Sequence, residues 1–305
     1  MVNTDYEVKL LADGLLFGES PRWRDGKLYV SDMTGKKLWV IDDKGNKESL
    51  IDLPNQVNGS CFNDQGLFIY GTMFDGQLWS YNPKTGKHEH YADMSKLMTG
   101  YTGDAVIDAK GRMYVDDVGA RVLHGEEPRA GRILLVEPDG QVKSAHEDIV
   151  FPNGINIDST GENLYVIETF AFQLNHFEIR EDGSLYDRKV IWNIKEFPVA
   201  PGEEWTRFHS GDGFCMDAED YMWLSMLGYR KFIRREPKTG EITDVIEVDG
   251  EATACILGGD DGKTLYLVVN KTPSEGSLFD HMVQRRTKGT IYTTRVKVGK
   301  GKARP

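Results

Sequence analysis

Two short strands joined by an Asp/Gly turn recur six times along this chain, and such a repeat confines it to a closed, repetitive architecture. Three copies are close to one another. Gly103-Asp104-Ala105-Val106-Ile107-Asp108 precedes Met113-Tyr114-Val115. Pro152-Asn153-Gly154-Ile155-Asn156-Ile157-Asp158 precedes Asn163-Leu164-Tyr165-Val166. Gly211-Asp212-Gly213-Phe214-Cys215-Met216-Asp217 precedes Met222-Trp223-Leu224. The looser copies begin at Glu19, Asn58 and Thr253. Aligned on the second strand, the leading positions are Glu19, Asn58, Gly103, Asn153, Asp212 and Thr253, at intervals of 39, 45, 50, 59 and 41 residues. The mean, about 47, lies at the upper end for four-stranded propeller blades.

Further strand pairs follow the first three copies. Lys37–Ile41 runs into the turn 42–45, Gln77–Tyr81 into 82–86, and 131–136 into 137–140, each turn marked by Asx, Pro or Gly. No stretch carries a long helical period; the most helix-like piece, 93–98, spans only about a turn and a half. The reading is all-β: a six-bladed β-propeller with a central metal site. The repeat runs from 19 to 298 without a linker, so residues 1–305 are taken as one propeller domain.

Charge and cysteine content narrow the partners. The net charge is −11, from 37 basic and 48 acidic side chains, with no basic stripe beyond Arg285-Arg286 and the tail 297–304. Nucleic acid is not an expected partner. No apolar run is long enough to span a bilayer, so no membrane association is expected. Cys61, Cys215 and Cys255 each fall inside an inner strand and read as buried structural thiols. The amino terminus shows no secretory pattern, and a cytoplasmic location is the expectation. Monomer and homodimer are both left open.

The innermost strand of each blade runs beside the propeller axis, so the leading positions form a ring around the channel. Glu19, Asn58, Asn153, Asp212 and Thr253 are all hard oxygen donors, the set that suits Ca²⁺. Glu19 and Asp212 would neutralise one divalent ion, and without one they would repel each other. Zinc or copper is less natural because no His or Cys holds a ring position. Asn and Asp at strand starts also cap turns, but Glu caps turns poorly, and ligand-type residues recur here at one repeat position. By contrast Asp25, Asp64, Asp108, Asp158 and Asp217 recur at turns in nearly every blade and read as fold chemistry.

Gly18-Glu19-Ser20-Pro21-Arg22-Trp23, Phe151-Pro152-Asn153-Gly154-Ile155 and Ser210-Gly211-Asp212-Gly213 resemble the regucalcin/gluconolactonase/luciferin-regenerating-enzyme family over residues 15–296. That resemblance implies a six-bladed propeller with a central divalent metal and, for many members, lactonase activity. It implies Glu19, Asn153 and Asp212 as metal ligands, with Asp212 also the general base. Diisopropyl-fluorophosphatase and paraoxonase resemble it more distantly. The family pattern has Asn-Asp at the third blade where this chain has Gly103-Asp104, so a side chain toward metal or substrate is missing and Asn58 is a candidate to compensate.

A hard divalent ion polarises a carbonyl as a Lewis acid, and a general base must then activate water. Asp212 and Asp104 are the candidate catalytic carboxylates. Asn58, Gly103, Asp104 and His209 are the candidate substrate-binding positions, with His209 either a proton relay or a surface-loop histidine. The absence of GxSxG argues against a serine nucleophile. Long connections at 194–209, 271–288 and 121–132 are expected at the mouth. Trp205, Phe208 and Phe279 are candidates for a sugar-stacking or apolar wall, or for burial against the rim, and Arg121 and Arg129 are candidate carboxylate binders or solvated arginines. The expected function is a divalent-metal-dependent lactonase acting on a sugar or related lactone, with Ca²⁺ favoured over Mg²⁺, Mn²⁺ or Zn²⁺. An organophosphate or aryl-ester hydrolase and a non-catalytic calcium- or ligand-binding propeller are the alternatives.

Overall fold

A computed structural model describes residues 2–304. It contains six antiparallel four-stranded sheets, as the repeat requires. Five are consecutive in the chain, with innermost strands Gly18–Arg24, Val57–Phe62, Thr102–Ile107, Pro152–Ile157 and Gly211–Met216. The sixth blade is composite. Its inner strand is Glu251–Gly258, and its outermost strand is Lys9–Leu15, which pairs with the last strand of the chain, Lys288–Arg295, from Lys9 opposite Thr293 to Leu15 opposite Gly289. This closure joins the two ends of the chain and leaves the ring no open seam.

Alternation along the strands buries one face of each blade against the next. Leu28, Val30, Leu267, Val268 and Ile291 fill one such interface, and Val106, Tyr114, Ile133, Ile155 and Phe177 another. Each such side chain contributes roughly 1.5–3 kcal/mol when fully buried. All three cysteines are buried and free, as expected, and burial pushes the Cys61 thiol up to about 12.

Three of the recurring turn aspartates hold their turns. Asp108 accepts from the Lys110 and Arg112 amides and pairs with Arg112 Nε at 2.7 Å. Asp158 binds Asn163 Nδ2, and Asp217 binds Arg234 Nε. Asp25 and Asp64 do not follow this pattern. In the second blade the neighbouring Asn63 accepts from the Leu67 amide, and Asp25 is an exposed residue in the left-handed region with no comparable bond.

The short helix-like piece at 93–98 is a strand end and a turn. The one α-helix among the described residues is α1, Leu278–Val283, within the 271–288 connection. Ser277 caps it by accepting from the Asp280 amide, and Leu278 and Met282, one turn apart, are buried. At the opposite end of the channel the tail crosses the blades, bridging Asp217 at Lys300 and Ile157 at Arg304.

Candidate functional site

A break in pairing register falls at or beside the ring position in all six inner strands: Glu19/Arg22, Asn58/Ser60, Thr102/Ala105, Pro152/Ile155, Gly211/Phe214 and Ala252/Ala254. Such bulges bend a strand and re-aim a side chain. They interrupt the alternation of each inner strand where its side chain must turn toward the axis. The residue after the ring position is usually small. Gly59 stands at φ 61°, and Ser20, in the same place after Glu19, is also left-handed at φ 47°. Phe151, two residues before Asn153, is left-handed as well. Non-glycine residues held there cost of order 1–3 kcal/mol each, so the surrounding packing must impose the conformation. Gly154 serves close approach instead: a Cβ there would run into the Asp212 carbonyl of the next blade.

One cavity on the axis brings together Glu19, Asn58, Gly103, Asn153 and Asp212, enclosing about 60 Å³. Glu19 and Asp212 are 9% and 5% exposed, and both carboxyls are pushed well above the usual carboxylate range. Burial is the leading cause for each. Repulsion from Asp212 and then Asp104 adds to it at Glu19, and repulsion from Asp104 adds to it at Asp212. Asp212 Oδ1 is buried with no hydrogen-bond partner. The Asn153 amide nitrogen donates to Thr169 Oγ1 at 3.2 Å, which leaves its carbonyl as an acceptor. Asn58 Oδ1 accepts from the Gly59 amide at 2.9 Å.

This donor set fits a divalent cation. An orphaned carboxylate oxygen, a second carboxylate destabilised by it and an amide carbonyl on one buried cavity are oxygen-only donors with two negative charges between them. Among the described residues no three His, Cys, Asp or Glu side chains converge as a ligand group, so amide carbonyls would have to complete the shell.

Three expected members of the site are elsewhere. Asp104 does not line the cavity. Its Oδ1 accepts from Arg22 at 2.9 Å, from Ser20 Oγ at 3.3 Å and from the Ala105 amide, which places it beneath the ring as the counter-ion of a buried arginine. His209 lines a neighbouring cavity instead and is no surface-loop residue: it is 3% exposed, packed edge-on to Tyr229 at 4.9 Å. Its Nδ1 accepts from the Thr206 amide, Nε2 has no hydrogen-bond partner, and burial lowers its pKa. Thr253 also leaves the ring, with its hydroxyl on the carbonyls of Gly18 and Val268.

The Gly103 gap is filled from behind. A Cβ on Gly103 would lie 2.5 Å from the Asp116 carboxylate, which accepts from the Gly103 amide at 2.5 Å and the Asp104 amide at 2.7 Å. Asp116 is fully buried, and burial raises its pKa well above the usual range.

Several contributors were not anticipated. Asp32, Asp117 and Glu168 end the second strands of their blades and clamp the backbone entering the inner strands, at the amides of Phe17, Gly100 and Val150. Above the polar floor, the residue after the second strand supplies Met33, Met73, Val118 and Leu227, and the residue before or near the inner strand supplies Phe17, Tyr101 and Phe151. Both positions recur with the repeat, so aligning the copies past the second strand would have found them. Of the expected aromatic walls, Phe208 and Phe279 line the cavity, whereas Trp205 is 44% exposed and packs on Phe172. Arg121 and Arg129 do not line it; Arg129 Nε donates to the Gly119 carbonyl.

Glu251, at the start of the sixth inner strand, is another unanticipated acid. Its Oε2 is buried and unpartnered, and burial with repulsion from Glu203, opposed by Arg230, moves its pKa from 4.5 up to about 7. A raised carboxyl binds its proton more tightly in the folded chain, so its contribution favours folding below about pH 4.5 and is lost as pH rises through about 7. Thermal melts of Glu251→Gln should therefore exceed those of the parent above pH 7, with the difference vanishing near pH 4.5. A constant difference at all pH values would contradict this.

The description SMP-30/Gluconolactonase/LRE-like region belongs to a family model that matches residues 17–271. Regucalcin of Gallus gallus is 20% identical over 285 residues, covering 88% of this chain and 91% of the relative. Among solved structures, a calcium-binding regucalcin of Agrobacterium tumefaciens superposes with a TM-score of 0.78 at 19% identity, covering 98% of this chain and 97% of that one. A gluconolactonase of Xanthomonas campestris gives 0.73 at 18% identity, covering 95% and 89%.

Proposed function

Because the chain belongs to the SMP-30/gluconolactonase/LRE-like family, we propose that it is a divalent-metal-assisted hydrolase of lactones, with the ion held by Glu19, Asn153 and Asp212. The observation that carries this reading is the unpartnered, buried Asp212 oxygen sharing one axial cavity with a second raised carboxyl. A fold that places two mutually repelling acids on its axis incurs a cost that a bound cation offsets. The relatives named regucalcin and gluconolactonase associate this scaffold with calcium and with lactones.

When bound, the ion supplies Lewis-acid polarisation of the lactone carbonyl. The other steps fall to the protein. Asp212 takes a proton from water as the new C–O bond forms at the carbonyl carbon, and returns it to the ring oxygen as the acyl C–O bond breaks, giving the hydroxy acid. The Asn58 amide nitrogen, which has no hydrogen-bond partner within the described residues, lines the cavity and can donate to the substrate. Asp104 acts at one remove: paired with Arg22, it adds negative charge beneath Asp212 and strengthens it as a base. A carboxylate serving both as ligand and as base is weak, which suits a strained or activated ester better than an amide.

Chelated protein should lose lactone hydrolysis and regain it with Ca²⁺ or another hard divalent ion. Undiminished hydrolysis after complete metal removal would contradict the proposal. Calcium binding without turnover of any lactone would instead favour a binding propeller.

A further inference from the structure

The cavity has a polar floor and apolar walls. Apart from one phenol, every oxygen-bearing side chain on it lies at or near the ring: Glu19, Asn58, Asn153, Asp212 and the Thr169 hydroxyl. Above that level the walls are aromatic rings, methionines and aliphatic side chains, joined by one phenol, Tyr101. The rings form a connected wall. Phe151 packs on Phe170 at 4.6 Å, Phe170 meets Phe279 edge-on at 5.9 Å, and Phe279 meets Phe208 edge-on at 5.2 Å. No lysine, arginine or carboxamide lines the cavity at this level; the nearest guanidinium, Arg207, stacks on the Phe170, Phe208 and Phe279 rings at 5.7, 5.4 and 5.7 Å from their centres without lining it. A polyhydroxylated lactone would strip water from several hydroxyls there without replacing the lost hydrogen bonds, whereas an alkyl or aryl substituent would gain from leaving water.

The roof is helix α1, whose Leu278, Phe279 and Met282 face down into the cavity. It is seated imperfectly. His281, on the same helix, is 0% exposed, and neither of its ring nitrogens has a hydrogen-bond partner. A buried polar ring left unsatisfied weakens the seating of the element that carries it. The cavity is small, about 60 Å³, and partly open, so a substituent on a substrate ring held at the floor lies against the residues of α1.

We infer that the substrates are lactones carrying an apolar substituent, gripped between the Phe170/Phe208 wall and helix α1, and that Leu278 and Phe279 set this preference. The inference rests on the lactonase reading above. It specifies which lactones, with the carbonyl at the polar floor and the alkyl or aryl group against the roof.

The test compares kcat/KM of the calcium-loaded protein on glucono-1,5-lactone, δ-valerolactone and δ-lactones with alkyl chains of increasing length. In parallel, calorimetry measures binding of alkyl-substituted δ-lactams, which present the same shape and resist hydrolysis. Each added methylene should raise kcat/KM and lactam affinity by up to about fourfold until the wall is filled. Glucono-1,5-lactone should be the poorest substrate. Phe279→Ser and Leu278→Ser should flatten the chain-length dependence, lowering kcat/KM and lactam affinity by a larger factor the longer the alkyl chain. Glucono-1,5-lactone preferred over the alkyl lactones would overturn the inference and leave the lactonase reading standing. No lactone turned over, with lactam affinity still rising with chain length, would overturn the lactonase reading and uphold an apolar ligand. Lactam affinity independent of chain length would overturn the inference in either case.

Discussion

Asp212→Asn is expected to abolish lactone hydrolysis, by at least about a hundredfold, and at the same time to make the metal-free protein more stable. The two effects share one cause. Asp212 is buried, its Oδ1 has no partner, and Asp104 and Glu19 crowd it with like charge. An amide of the same shape removes the buried unpaired charge, and relief of such a group is worth about 1–3 kcal/mol. It also removes the ligand and the base, and loss of a group used in the transition state lowers kcat rather than merely raising KM. Thermal melts with and without calcium read both. The parent should be the less stable protein after chelation and should gain melting temperature with calcium, whereas Asp212→Asn should begin higher and gain little. A variant that is destabilised in the metal-free state would show that Asp212 is a structural acid.

Gly103→Asn is the second large expectation, and here the structure reverses what sequence comparison suggests. Filling the gap in the ring would be read as restoring a ligand. The space is already occupied: the Asp116 carboxylate lies where a Cβ on residue 103 would be and holds the amides of residues 103 and 104. An added side chain must displace a fully buried carboxylate and break both bonds, which costs about 2–4 kcal/mol. Asp116→Gly alone leaves two buried N–H groups unsatisfied and costs about 2 kcal/mol. In the double variant the side chain introduced at position 103 enters vacated space, so the two losses should not add. A coupling of more than about 1 kcal/mol in a double-mutant cycle is expected, with much of the parent's stability recovered. Strict additivity would mean that the two positions do not share one space.

The blades were legible because repetition averages out local ambiguity: the Asp/Gly turn of one copy is ordinary, but six in register admit few architectures. Glu19, Asn153 and Asp212 stood out because they vary at a position where a purely structural role would favour one residue type. What was not legible depends on contacts distant in sequence. The Lys9–Leu15 strand carries little alternation of its own, and its partner lies at the far end of the chain. The bulges that reorient the ring positions are a register property of strand pairs, and only the small residues after Asn58, Asn153 and Asp212 hint at them. Asp104 reads from the sequence as a carboxylate of the site, and nothing in the sequence singles out Asp116. Their places are decided by Arg22, which holds Asp104 beneath the ring, and by Gly103, whose missing side chain lets Asp116 in behind it. His209 and Trp205 lie in the same connection as Phe208, yet only Phe208 turns to the cavity.

The proposed function requires a hard cation on the propeller axis between Glu19, Asn153 and Asp212. The most direct measurement is an anomalous difference map from crystals of chelated protein soaked in Mn²⁺, refined beside a Ca²⁺ soak. A single peak on the axis is expected, with a carboxylate oxygen of Glu19, the Asn153 carbonyl oxygen and a carboxylate oxygen of Asp212 within about 2.3–2.6 Å of the calcium ion. An axis that stays empty in both soaks, or an ion bound elsewhere while these three side chains keep to themselves, would contradict it.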